Sequence, residues 1–100
     1  MESVRQQKIA QQLHKDLGEI FIKECKEMLR GALTTVTAVR ITPDLSIARV
    51  YVSVFPWDKH EAVMQVLEQN NRFIRGVLGN RVRNQLRIVP ELQFMIDDSL

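Results

Sequence analysis

The sequence predicts an α+β fold in which helices cover one face of a three-stranded sheet. Three patterns predict it: a long first segment with helical spacing of apolar residues, two β-branched segments around a turn, and a short alternating segment near the end. The length of 100 residues matches one domain with one modest core. We therefore expect residues 1–100 to form a single domain, and a two-domain enzyme is excluded.

The first segment predicts an amphipathic helix from about Ser3 to Leu29. Its apolar residues recur three and four positions apart, and polar residues fill the other faces. Gly31 then stands where glycine commonly ends a helix. We therefore expect one long helix with a buried stripe. The apolar positions are Val4, Ile9, Leu13, Leu17, Ile20, Phe21 and Met28.

Two segments rich in β-branched residues, 34–41 and 47–55, predict a β-hairpin. Thr42-Pro43-Asp44-Leu45 between them has turn chemistry. In the second strand, small apolar residues alternate with Arg49, Tyr51 and Ser53. We therefore expect one face of the sheet to contact the helices and the other to face solvent.

A second helical region is expected to begin at Asp58, with Asp58 as its cap and Glu61 three residues later. Its apolar stripe, which includes Phe73, continues to about residue 85. Asn70-Asn71 interrupts it with two weak helix formers, which predicts a kink or a join between two helices. Replacing both by Ala should favour a straight helix and gain stability.

A third strand is expected after Pro90, where Leu92, Phe94 and Ile96 alternate with other residues. The predicted order of elements is therefore α-β-β-α-kink-α-β. The apolar face of this strand should complete the sheet.

Positive charge is concentrated in one part of the chain. The formal net charge is only +2, but residues 72–87 contain five arginines and no acidic residue. Guanidinium groups bind phosphates through two hydrogen bonds at once, so nucleic acid is the leading candidate partner. The alternative is a solvated face that pairs with acids elsewhere, or that docks an acidic protein partner. The arginines are Arg72, Arg75, Arg81, Arg83 and Arg87.

On a helix, most of this segment lies within one narrow arc of the exposed face, which suits a phosphate backbone, while Arg81 falls on the apolar side. Small residues on the arc should let RNA approach closely. Gly76-Val77-Leu78-Gly79 has the spelling of the G-x-x-G loop that clamps nucleic acid in many KH domains. We reject that interpretation because the middle pair belongs to the buried stripe. The arc comprises Arg72, Arg75, Gly76, Gly79, Asn80 and Arg83.

Other chemistry is weakly supported. One Cys and two scattered His residues do not form a metal-ligand set, and Asp97-Asp98 lacks a matching nucleophile. We therefore expect no enzyme activity, no cofactor and no metal. Tyr51 and Phe55 are candidates for base stacking, although an isolated strand aromatic more often packs. No apolar run matches a membrane span or a signal peptide, so we expect a cytoplasmic protein with no membrane partner.

Several motifs carry a resemblance to a known family. The most specific pieces are a Phe-Ile-Arg element at 73–75 and Leu-Arg-x-x-Pro-Glu-Leu-x-Phe at 86–94. Further pieces are Lys8-Ile9-Ala10, Thr35-Val36-Thr37 and 48–54. The order of elements is similar to the type II KH-like fold, and with these motifs the chain resembles bacterial ribosome-binding factor A nearly end to end.

The resemblance implies a monomeric, non-catalytic factor that binds the free small ribosomal subunit and its 16S-type rRNA. It also implies a role in late rRNA maturation and in cold adaptation. A ribosome-associated GTPase is expected to drive release of the factor from the mature subunit. We expect Arg87 and Lys8 to support the arginine arc. The family usually has Asp-Pro-Arg before the glycine where this chain has Met28-Leu29-Arg30, so the first helix is expected to run further.

Overall fold

Three helices and three strands follow the order that the sequence predicts. The computed structural model describes residues 3–98. The α+β fold class, with helices on one face of a three-stranded sheet, is confirmed. The elements are α1 Val4–Lys23, β1 Leu33–Ile41, β2 Ile47–Phe55, a 3₁₀ turn Trp57–Lys59, α2 His60–Gln69, α3 Asn71–Val82 and β3 Glu91–Ile96.

The sheet has the strand order β1-β2-β3. β1 and β2 form the expected antiparallel hairpin, and β3 pairs with β2 in parallel. A parallel neighbour requires a crossover connection, which α2 and α3 supply. β1 and β3 are therefore the two edges of the sheet.

One face of the sheet forms the core, as the alternation in β2 predicts. Ala48, Val50 and Val52 are fully buried, whereas Arg49 between them is exposed. The helices contribute the other half of the core at helical spacing. Their fully buried residues include Leu13, Leu17, Leu67, Ile74, Leu78 and Val82.

The start of α1 is fixed by a capping box. The Ser3 hydroxyl accepts a bond from the Gln6 amide at 3.1 Å, and Gln6 Oε1 accepts one from the Ser3 amide at 2.9 Å. Gln6 Nε2 also donates to the Ile41 carbonyl at 3.0 Å. These bonds hold the first turn of α1 against the end of β1.

The expected end of α1 near Leu29 is wrong, because the helix stops at Lys23. A continued helix would place Glu24 on the buried stripe, seven residues after Leu17, whereas Glu24 is exposed. Turns follow instead and bury Cys25 and Leu29. Burial raises the pKa of the Cys25 thiol to about 11.

Two details of the second helical region also differ from expectation. Asp58 does not cap α2, because it lies in the 3₁₀ turn and no side-chain bond caps the helix. Trp57 stacks on His60, the first residue of α2, with ring centres 3.9 Å apart. Phe73 and Ile74 were both expected on the buried stripe, but only Ile74 is buried in α3, while Phe73 is 47% exposed.

Candidate nucleic-acid interface

The predicted join between α2 and α3 exists and is tied to the sheet. Asn70 leaves the helical conformation, with φ −105° and ψ 14°. Its side chain donates to the Val66 carbonyl at 2.8 Å, within α2. Asn71 Nδ2 donates to the Leu92 carbonyl of β3 at 2.9 Å. The join is therefore held at a defined place beside the β3 edge.

A groove of 730 Å³ lies between this join and the start of β3, and we call it the join groove. Two guanidinium groups and two carboxylates line it, so its charge is mixed. Nearby carboxylates weaken the attraction of the arginines for phosphate, so the join groove by itself does not favour an anion. The charged lining residues are Arg72, Arg75, Glu68 and Glu91.

Arg75 is built into the fold rather than free in solvent. It is half-buried, and its Nε donates to the Pro90 carbonyl at 3.1 Å. Its Nη2 donates to the Val89 carbonyl at 2.6 Å. The expectation that Arg75 is an exposed surface cation is therefore wrong. Because a guanidinium has five N–H donors, Arg75 still offers charge and donors to the join groove while it holds the segment before β3.

Arg81 is also engaged, in agreement with its predicted place off the exposed arc. Its Nη1 donates to the Asp16 carbonyl at 3.1 Å and lies 3.5 Å from the Asp16 carboxylate. Its Nη2 donates to Glu19 at 2.7 Å. That hydrogen bond holds the pKa of the Glu19 carboxyl below its usual value. Arg81 therefore connects α3 to α1.

The remaining arginines of the segment are exposed. Arg72 lies in the first turn of α3, Arg83 caps its C-terminal end, and Arg87 follows in the connection to β3. Within residues 3–98, no carboxylate forms an ion pair with any of these three. They are the cations that remain available to an external phosphate.

The two glycines of the arc have different surroundings. A Cβ on Gly76 would meet nothing within 4 Å, whereas one on Gly79 would lie 3.4 Å from the Val89 side chain. Gly76 therefore leaves room for a ligand, whereas a Cβ on Gly79 would make an ordinary contact with Val89 in the connection to β3. Both belong to a regular helix with Leu78 fully buried, so the rejection of a G-x-x-G loop is confirmed.

Lys8 lies beside the connection that follows α3. A second groove, of 530 Å³, is lined by residues from the start of α1 together with Gln85 and Leu86. Arg5 lines the same groove, and both cations are exposed. Sequence reasoning missed Arg5, although its spacing of three from Lys8 places both on one helix face. We call the exposed cations of α3, of the connection after it and of the start of α1 the basic surface. It comprises Arg5, Lys8, Arg72, Arg83 and Arg87.

Other kinds of site lack support in the part of the chain that the structure describes. Among residues 3–98, no group of three or more His, Cys, Asp or Glu side chains is arranged to hold a metal ion. No helix in that range is long and apolar enough to cross a membrane.

The sheet is mixed and three-stranded, and a bent helix pair lies beside its parallel edge. These features define a type II KH-like protein, and its helices carry the basic surface. The sequence model of the ribosome-binding factor A family matches residues 5–100. The chain therefore belongs to that family, and the family resemblance of the sequence is confirmed.

Similar proteins cover almost the whole chain. Ribosome-binding factor A of Cytophaga hutchinsonii is 38% identical over 100 residues, which span 100% of this chain and 75% of that protein. The crystal structure of ribosome-binding factor A from Thermus thermophilus has a TM-score of 0.76 at 30% identity and covers 91% of this chain and 94% of that one. A Thermus thermophilus homology model, fitted into the cryo-EM map of a complex of that protein with 30S, has a TM-score of 0.71 at 34% identity and covers 85% and 87% of the two chains.

Proposed function

We propose that this protein binds the free small ribosomal subunit through its 16S-type rRNA and assists late rRNA maturation without catalysis. The observation that carries the proposal is the set of exposed arginines Arg72, Arg83 and Arg87, which have no acidic partner within residues 3–98. The Thermus thermophilus homology model fitted into the map of a 30S complex supports the choice of subunit.

Binding rests on phosphate contacts that Arg75 and Asn71 organise. Arg75 holds the Val89 and Pro90 carbonyls, and Asn71 holds the Leu92 carbonyl, so the connection that carries Arg87 stays beside α3. A backbone that is held in place leaves only the side chains to be ordered when these arginines bind phosphate, so less conformational freedom is lost. The basic surface thus favours one arrangement of structured rRNA over others.

The biological part of the proposal follows the family. Base-paired RNA rearranges more slowly in the cold, so a factor that favours one rRNA arrangement contributes most to cold adaptation. We infer a cytoplasmic monomer that a ribosome-associated GTPase releases from the mature subunit. Such release is consistent with contacts that are mainly electrostatic.

The test compares two double variants of the full chain by sedimentation with purified small subunits over a range of salt concentrations. Arg72→Gln with Arg83→Gln removes two exposed cations from the basic surface. Lys23→Gln with Lys26→Gln removes the same charge from exposed positions at the C-terminal end of α1 and in the turn that follows it. We expect the first pair to weaken association and to reduce the slope of log affinity against log salt by about 1.5, from about 0.7 to 0.9 per lost phosphate contact.

Two outcomes would contradict the proposal. Equal effects of the two double variants would place the rRNA contacts elsewhere. If small-subunit RNA fragments bound no better than an unrelated acidic polymer at every salt concentration, the basic surface would instead fit an acidic protein partner.

A further inference from the structure

The face of the sheet opposite the helices carries two arginines in direct opposition. Arg40 on β1 pairs with Arg49 on β2, and both side chains are exposed. Directly opposite residues of an antiparallel pair have Cβ atoms about 5 Å apart, and like charges there oppose folding. This arrangement concentrates positive charge on a flat surface that does not belong to the basic surface of the helices.

No carboxylate within residues 3–98 forms an ion pair with either arginine. The neighbour of Arg49 on β3 is the neutral Gln93, and the nearest acid along that strand is Glu91, which lies opposite Ile47 and diagonal to Arg49 on the same face. The repulsion between the two guanidinium groups is therefore not offset by an ion pair. An external anion would therefore relieve the repulsion between the two guanidinium groups.

An aromatic ring lies next to this pair on the same face. Tyr51 is two residues beyond Arg49, which is about 7 Å along a strand. Its neighbours are Ala38 on β1 and Met95 on β3, so a small side chain and a flexible thioether flank the partly exposed ring. Because the side chain of Ala38 is short, it leaves space beside the Tyr51 ring for a flat group to approach.

The patch ends shortly beyond Tyr51. The Thr37 hydroxyl donates to the Asp97 carboxylate at 2.7 Å, and this acidic group disfavours phosphate toward the exposed Phe55. The site is therefore short, with two cations at one end and one aromatic ring beside them. We call Arg40, Arg49 and Tyr51 the sheet-face site.

We propose that the sheet-face site binds an unpaired strand of RNA, with phosphates on Arg40 and Arg49 and a base stacked on Tyr51. The charge requires a polyanion, and a ring on an open sheet takes a base only when that base is unpaired. The strand is assigned to rRNA, so the inference rests on the proposed function. It adds a second contact on the opposite side of the molecule from α3.

The experiment measures binding of a short labelled oligouridine to the full chain by fluorescence anisotropy over a range of salt concentrations. Arg40→Gln with Arg49→Gln should reduce the slope of log affinity against log salt by about 1.4, since each phosphate contact with a single strand contributes about 0.7. Tyr51→Leu keeps an apolar side chain and should weaken binding about tenfold without changing the slope. Lys23→Gln with Lys26→Gln is the charge-matched control, and melting temperatures establish that each variant is folded.

The outcomes separate this inference from the proposed function. A parent protein that sediments with small subunits but does not bind oligouridine would overturn the inference alone. A parent protein that does not sediment with small subunits would overturn the proposed function. Equal effects of the Arg40/Arg49 and Lys23/Lys26 variants, or unchanged binding by Tyr51→Leu, would also overturn the sheet-face site. If the Arg40/Arg49 variant lost subunit association but kept oligouridine binding, the face would belong to a protein partner.

Discussion

The helical surface and the open sheet face both present arginines, but only the helical surface surrounds some of them with acceptors. On α3, Arg75 donates to two backbone carbonyls, and Arg81 donates to Asp16 and Glu19. On the sheet, Arg40 and Arg49 face each other without an ion pair within residues 3–98. The acceptors around a guanidinium therefore decide whether it stabilises the fold or stays available to a ligand.

The same distinction divides the arginines within α3. Arg72 and Arg83 at its ends are exposed, whereas Arg75 and Arg81 between them are engaged. Arginines of the same helix therefore differ in role: two stabilise the fold, and two are available to a ligand. Substitutions that remove one arginine at a time should separate stability from binding.

The largest effect on stability is expected for Arg81→Met, which keeps the apolar stem of the side chain. It removes the guanidinium beside the buried Asp16, leaving Gln12 as the donor to that carboxylate, so we expect about 2 kcal/mol less stability toward urea. Arg83→Met is the matched control and should change stability by less than about 0.5 kcal/mol. Equal losses would mean that the contact with α1 contributes nothing specific.

A smaller effect is expected for Arg75→Gln. It removes bonds to the Val89 and Pro90 carbonyls, so we expect a loss of about 1.5 kcal/mol. Amide hydrogen exchange at the start of β3 should speed up as the preceding connection loosens. Arg72→Gln, with no such bonds, serves as the control, and unchanged exchange in Arg75→Gln would contradict the holding role.

The smallest effect is expected for Asn71→Ala, at the join beside both α3 and the sheet. Loss of the bond to the Leu92 carbonyl outweighs the better helix propensity of Ala, so we expect a net loss of about 0.5 kcal/mol in urea denaturation. This reverses the sign that helix propensity alone predicts. Asn70→Ala is the control, because the side-chain bond of Asn70 stays within α2. A gain in stability in Asn71→Ala would mean that helix propensity outweighs the bond to the sheet.

Local patterns predicted the elements well where one residue type dominated. The β-branched segments gave the hairpin because such side chains fit a pleated surface, and Asn70-Asn71 gave the join because both residues are weak helix formers. The end of α1 was predictable from Glu24, which would have fallen on the buried stripe. The prediction that Asp58 caps the second helical region was wrong because a 3₁₀ turn forms there before α2 begins.

The sequence by itself determined the order of elements, the two-faced sheet, the concentration of arginines in 72–87 and the family, since these depend on local periodicity and residue type. Only the tertiary structure decided which arginines are available. Arg81 meets Asp16 across 65 residues, and the hairpin register sets Arg40 opposite Arg49. Hydrogen-bond acceptors and cross-strand neighbours come from distant parts of the chain, so the role of each charge follows from packing and register rather than from its position in the sequence.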